Sequence, residues 1–254
     1  MDPILKVDNL TKVFSGNGKD DFVAVDHASF ELMRGECLGI IGESGSGKTT
    51  IVNMISRLLD PTEGTIILDN EDITKASGRE LRKVYKKMQM VFQTPQESFD
   101  PRCRLGDGIG ESLRNNDFSK RDARKRVIEL LSECGLSEEF ADRYPHQVSG
   151  GQCQRAAIAR ALAIKPSLLI CDEATSALDV TIQKEILELL NKLRMEHGEE
   201  LSILFICHDI ALVQQFCDRV LVFYKGRLVE QGTPDEIIRN PKDAYTRRLI
   251  DSVL

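Results

Sequence analysis

The sequence predicts an α/β fold of 254 residues: a mainly parallel sheet with helices on both faces and a helical subdomain inserted into it. Three observations predict it. Short apolar runs, among them Cys37-Leu38-Gly39-Ile40-Ile41 and Leu168-Leu169-Ile170-Cys171, read as strands buried on both faces. Segments of helical period stand between such runs. From about residue 94 to 163 the strand-like runs stop and helical signals take over.

In chain order, residues 4–14 and 22–41 read as strand-rich. A glycine-rich turn follows, then a helix from about Lys48 to Leu59 that Pro61 stops, and a strand over 64–69. Within the insertion, Ser119 followed by Asp122 has the capping-box pattern. Val127, Leu130, Leu131 and Cys134 then recur at helical spacing up to the stop at Gly135. The core resumes at Leu168, continues with a helix over 180–197 that places Ile182, Ile186, Leu189, Leu190 and Leu193 on one face, and adds strands at 202–207 and 219–224. The expected organisation is a single domain: a core over about 1–93 and 164–233, the helical subdomain over about 94–163, and a tail over about 234–254.

Composition narrows the class. Apolar residues at 41% and charged residues at 29% fit a globular protein with a full core. No apolar stretch approaches the roughly 18 residues needed to span a bilayer, and the start MDPILKVDNL does not read as a signal peptide. A membrane role must then come through a partner. The net charge of −6 argues against a dedicated nucleic-acid binder. Seven cysteines with no CxxC pair read as structural thiols of a reducing compartment.

Gly42-Glu43-Ser44-Gly45-Ser46-Gly47-Lys48-Thr49, followed by Thr50, matches G-x-x-x-x-G-K-[ST], the P-loop, with a strand before it and a helix after it. Glycines let backbone N–H groups converge on phosphate oxygens, and the helix adds its positive end. Lys48 is expected to reach the β- and γ-phosphates, and the Thr49 hydroxyl to ligate Mg²⁺. The strand 168–171 runs into Asp172-Glu173, two carboxylates at a C-terminal strand end, where α/β sheets bind ligands. Asp172 is expected to hold Mg²⁺, and Glu173 to act as general base or to orient water.

Val148-Ser149-Gly150-Gly151-Gln152 lies 100 residues past Thr49 and opens a helix, which makes a second anion-binding helix start. Here the chain resembles the ATP-binding-cassette (ABC) ATPases, whose signature is LSGGQ, with Val148 in place of Leu. The resemblance implies a P-loop NTPase core of RecA-like type with an N-terminal antiparallel β subdomain. It implies that Ser149, Gly150, Gly151 and Gln152 cap the γ-phosphate held by an opposite subunit. Gln93, after Met90-Val91-Phe92, corresponds to the Q-loop glutamine near Mg²⁺ and the attacking water; Ser176-Ala177-Leu178-Asp179 corresponds to the D-loop at the dimer interface. His208 corresponds to the switch histidine on the γ-phosphate. Phe14 sits where the family places an aromatic ring on adenine; Phe22 competes for that place, and either ring could be packing.

Within the family, Phe92-Gln93-Thr94-Pro95, Ser98-Phe99-Asp100-Pro101, Arg143-Tyr144-Pro145-His146, Glu230-Gln231-Gly232-Thr233-Pro234 and Tyr245-Thr246-Arg247-Arg248-Leu249 resemble the peptide and nickel importers. That branch implies ATP and Mg²⁺ as cofactors and integral-membrane permease subunits as partners. It also implies a second, non-identical ATPase subunit, an extracellular or periplasmic solute-binding protein, and a peripheral place on the cytoplasmic face of the membrane. This chain resembles the shorter subunit of such a pair. DNA-repair and chromosome-structure ATPases share the motifs but need long insertions between P-loop and signature. Translation factors of the class carry two cassettes.

Overall fold

The computed structural model describes residues 2–16, 21–174 and 178–251. An antiparallel sheet comes first: β1 (Pro3–Phe14) and β2 (Phe22–Met33) form a long hairpin. Next come β3 (Cys37–Ile41) and α1 (Lys48–Ile55), followed by β4 (Glu63–Leu68) and β5 (Glu71–Asp72), which extend the first sheet to the order β2-β1-β4-β5. The chain continues through α2 (Gly78–Lys87) into β6 (Met88–Val91).

Only helices and turns lie between β6 and the next strand: α3 (Leu105–Arg114), α4 (Lys120–Glu133), 3-10 turns at Glu138–Asp142 and Pro145–Gln147, and α5 (Gly150–Leu162). The Ser119 hydroxyl caps α4 by accepting from the Asp122 N–H at 3.2 Å, and Gly135 takes φ 73° just past the helix end. The core then resumes with β7 (Leu168–Asp172), α6 (Val180–His197), β8 (Ser202–Ile206), α7 (Ile210–Phe216), β9 (Arg219–Tyr224) and β10 (Arg227–Gly232). Two helices close the described chain, α8 (Pro234–Arg239) and α9 (Ala244–Asp251).

The second sheet has the order β10-β9-β3-β8-β7-β6, parallel except for the β9–β10 hairpin. Its central strands show why apolar runs appeared without alternation. On β3, Leu38 and Ile40 face a core shared with α1 and the antiparallel sheet, while Cys37 and Ile41 face one shared with α5, α6 and the helical insertion. On β7, Leu168 and Ile170 face the first core and Leu169 and Cys171 the second. Both faces bury side chains, so Leu168–Cys171 has no solvent-facing position to break the apolar run.

The first helix is shorter than the sequence suggests. It ends at Ile55 because Arg57 takes the left-handed φ of 59° and the Leu58 and Leu59 N–H groups both bond back to the Asn53 carbonyl. Six of the seven cysteines are buried and only Cys103 is exposed. Cys37 and Cys217 approach to 3.7 Å between sulfurs, and burial pushes the Cys37 thiol well above its usual range.

Candidate active site

Register decides what the sheet edge holds. Ile40 on β3 pairs with Ile206 on β8, and Ile206 pairs with Asp172 on β7. Beside them Cys171 pairs with Val91 on β6. Four neighbouring parallel strands, β3, β8, β7 and β6, therefore finish within a residue or so of the same level, and Gly42, His208, Glu173 and Gln93 lie one or two residues past those ends. Four motifs scattered over more than half the chain are brought together at the C-terminal edge of one sheet, the usual ligand edge of an α/β fold.

The P-loop backbone needs its glycines. A Cβ on Gly42, at φ 151°, would lie 2.2 Å from the Phe223 carbonyl oxygen, and one on Gly47, at φ 104°, would lie 2.6 Å from that of Ala24. Gly47 precedes α1 without a side-chain cap, and Ser44, Gly45 and Thr49 are exposed while Thr50 is half-buried. The Ser46 hydroxyl is buried and has no hydrogen-bond partner. Lys48 is buried, and its ammonium donates to the carbonyls of Gly42 at 2.7 Å and Glu43 at 2.9 Å. Burial lowers the Lys48 pKa, while the charges of Glu173 and Asp172 oppose that shift.

Asp172 is half-buried. Burial raises its pKa first and repulsion from Glu173 adds to that, with Lys48 pulling the other way. Glu173 takes φ 46°, a left-handed conformation that costs a side-chain-bearing residue roughly 1–2 kcal/mol. Its N–H donates to the Ile206 carbonyl at 3.1 Å, which fixes the turn that takes the chain out of β7. His208 is exposed at the end of β8. The acid after it is structural: Asp209 Oδ1 caps α7 by accepting from the N–H groups of Ala211 at 2.8 Å and Leu212 at 3.4 Å. Gln93 is exposed two residues beyond β6.

The signature segment forms a full capping box. Ser149 Oγ accepts from the Gln152 N–H at 3.3 Å, and Gln152 Oε1 accepts from the Ser149 N–H at 3.0 Å. Both side chains are thus engaged at their own helix start. Gly150 and Gly151 pack on Leu178 and Ile182, and a Cβ on Gly151 would fall 2.6 Å from Ile182 Cγ2. Asp179 caps α6, accepting from the Ile182 N–H at 3.0 Å. Ser176 and Ala177 lie outside the described residues.

Comparison with known proteins fixes the family. The profile of the ABC transporter family matches residues 25–176. The chain belongs to that family. The cassette is 45% identical to the oligopeptide transport ATP-binding protein OppF of Salmonella typhimurium, over 91% of this chain and 69% of the relative. Its identity to OppF of Bacillus subtilis is 43%, over 91% and 76%. Among solved structures it resembles cbiO1 of Clostridium perfringens, part of the cbiONQ transporter complex, at TM-score 0.83 and 32% identity over 94% of this chain and 92% of that one. A dimeric cassette, MJ0796, bound to ADP and Pi after hydrolysis, gives TM-score 0.81 and 33% identity over 91% and 98%. This is an ABC-type ATPase with the P-loop NTPase core and the added antiparallel sheet.

Two aromatic positions stay close together in the cassette. Phe14 and Phe22 are direct partners at the end of the hairpin where β1 leads into β2, and both are exposed. That hairpin touches the P-loop two residues further along, where Ala24 meets Gly47. The Lys12 ammonium stands 5.2 Å from the Phe14 ring centroid.

Other contacts of the cassette carry no sequence signal. The P-loop is braced from outside by the Gly226 N–H on the Ser46 carbonyl at 2.9 Å and by the Tyr245 hydroxyl, which accepts from the Glu43 N–H at 3.0 Å. Phe99 is buried under the Arg160 guanidinium, 4.5 Å from its ring centroid, whereas Arg102 is 87% exposed in its side chain and pairs with Asp100 at 2.9 Å. No helix among the described residues is long and apolar enough to cross a membrane.

Proposed function

We propose that this cassette hydrolyses ATP to drive peptide import through integral-membrane permease subunits, from the cytoplasmic face of the membrane. The observation that carries the reading is the transverse row Ile40–Ile206–Asp172, which sets the P-loop, Glu173 and His208 around one place. Lys48 leaves the carbonyls of its own loop for the β- and γ-phosphates. Glu173 takes a proton from water as its oxygen attacks the γ-phosphorus and the bond to ADP breaks, while His208 holds the γ-phosphate. The adenine rests against Phe14 or Phe22.

Thr49, Asp172 and Gln93 are the residues that would hold Mg²⁺. A half-buried carboxylate whose charge is disfavoured by burial and by a second carboxylate suits a dication. The ion, when bound, screens the phosphate oxygens and stabilises charge on the leaving ADP.

Ser149, Gly150, Gly151, Gln152 and Asp179 complete the site of a second cassette. That partner is a non-identical ATPase subunit, and an extracellular or periplasmic solute-binding protein delivers cargo to the assembly. Peptide is favoured over nickel or metal chelates because relatives at 43–45% identity are named for oligopeptide transport. The test is uptake of a labelled tripeptide by cells lacking this subunit. Wild-type protein should restore uptake and Glu173→Gln should not. Undiminished peptide uptake without the subunit would remove the peptide assignment.

A further inference from the structure

We infer that Tyr245 is a positioning residue for the P-loop and that its hydroxyl sets the affinity of the cassette for nucleoside triphosphate. The inference rests on the nucleotide reading of Gly42–Thr49.

Gly42, Gly45 and Gly47 sit at φ 151°, 78° and 104°, so the loop is assembled from the residues that lose most freedom on being ordered. Besides the hydrogen bonds within it, such a loop keeps its shape through contacts from outside. Three come from backbone elsewhere in the fold: the Gly226 N–H on the Ser46 carbonyl, the Phe223 carbonyl against Gly42 and the Ala24 carbonyl against Gly47. A fourth is a side chain 202 positions away in sequence, the Tyr245 hydroxyl on the Glu43 N–H.

The Glu43 peptide is the point where these constraints meet. Its carbonyl accepts from the Lys48 ammonium at 2.9 Å and from the Ser46 N–H at 3.1 Å. Its N–H is taken by Tyr245, so the loop donors left for phosphate begin at Ser44. When a triphosphate draws Lys48 away, Tyr245 still holds that peptide plane.

Tyr245 is itself preset. It is 4% exposed and stacks on Tyr224 with ring centroids 4.0 Å apart and planes 21° apart. The start of α9 is pinned by Glu230, whose carboxylate accepts from the N–H groups of Lys242 at 2.8 Å and Asp243 at 3.0 Å. Asp243 Oδ1 accepts in turn from the Tyr245 N–H at 2.7 Å. Burial pushes the phenol above its ordinary 10.0, so it is a neutral acceptor at neutral pH. A loop held in its binding shape avoids the loss of affinity that follows when only a fraction of molecules is competent.

Tyr245→Phe keeps the ring stack and removes only the oxygen. ATP affinity, measured with a fluorescent analogue on the full chain, should fall about three- to ten-fold, the worth of one net hydrogen bond. kcat at saturating ATP should stay near wild type, and the melting temperature without nucleotide should fall by no more than about 2–4 °C, the cost of one lost hydrogen bond in a domain this size. Tyr224→Phe, which removes no contact to the loop, should bind as wild type does. Hydrogen exchange on the unmodified chain gives an independent reading: the Glu43 amide should be protected without nucleotide, and fast exchange there would overturn the inference. Unchanged affinity in Tyr245→Phe beside a weakened Lys48→Ala would also overturn it while leaving the nucleotide site intact. Unchanged affinity in both would remove the nucleotide reading itself.

Discussion

Asp172 lies directly beside Ile206 in the parallel pairing of β7 with β8, and this pairing places the acidic pair level with the end of the strand that leads to His208. The same Ile206 is the neighbour of Ile40, two residues before the P-loop. A slip of one residue in either pairing would turn every side chain of a strand to the other face, burying what is now at the edge. Both faces of these strands are packed, so the register is strongly fixed and the site inherits that rigidity.

Asp172 is maintained at a cost to stability. Its folded pKa lies above the ordinary 3.8, so the folded protein binds its proton more tightly than the unfolded chain does. Stability from this group is therefore greatest at low pH and falls as pH rises from 3.8 through the raised value. Asp172→Asn removes the charge, so it should melt at a higher temperature than wild type at pH 7 without nucleotide, with the gain shrinking as pH approaches 3.8. A lower melting temperature at pH 7 would contradict the account.

Gly151 is required by packing. An added methyl meets Ile182 Cγ2 at 2.6 Å, and overpacking of this kind costs about 1–3 kcal/mol. Gly151→Ala should lose that much in chemical denaturation, and Gly151→Ala with Ile182→Ala should recover part of it. Strictly additive losses in the double variant would show that the two side chains do not meet.

The signature serine is both a cap and a proposed contact in trans. Ser149→Ala should cost about 1 kcal/mol through the lost cap, a shift of about 2–4 °C for a domain this size. The chain alone should be monomeric, and ATP with Mg²⁺ should drive the Glu173→Gln form into a weak dimer that Ser149→Ala abolishes. Light scattering decides it: a dimer insensitive to Ser149 would place the second cassette's contact elsewhere.

Coupling to the membrane partner should be read at Arg102 and not at Phe99. Phe99 is buried at 5% exposure and supports the insertion, so Phe99→Ala should destabilise the fold by about 3–5 kcal/mol. Arg102 is exposed, so Arg102→Ala should leave basal ATPase of the isolated chain near wild type while lowering transport. Equal loss of both activities in Arg102→Ala would assign that residue to the fold.

The P-loop, the acidic strand end and the signature were legible in sequence because each is contiguous, and its residue types answer to one local geometry. Strand runs such as Leu168–Cys171 were legible for the same reason. What could not be read was anything set by register between distant strands or by a single long-range contact. Nothing near Tyr245 announces that its hydroxyl meets Glu43, and nothing in Leu178 and Ile182 announces that they face the signature glycines. The end of α1 was misjudged because Pro61 is the visible stop, whereas the actual stop is Arg57 in a left-handed conformation. The left-handed φ of Glu173 was equally silent, since strain at a non-glycine residue leaves no trace in composition.

The central claim is that Glu173, one residue beyond the row Ile40–Ile206–Asp172, handles the water that attacks ATP. Single-turnover hydrolysis by the Glu173→Gln cassette, with bound ATP quantified in the same samples, tests it most directly. The account predicts ATP binding near wild type and a chemical step slower by roughly 10²–10⁴. Hydrolysis at the wild-type rate with ATP bound would contradict it.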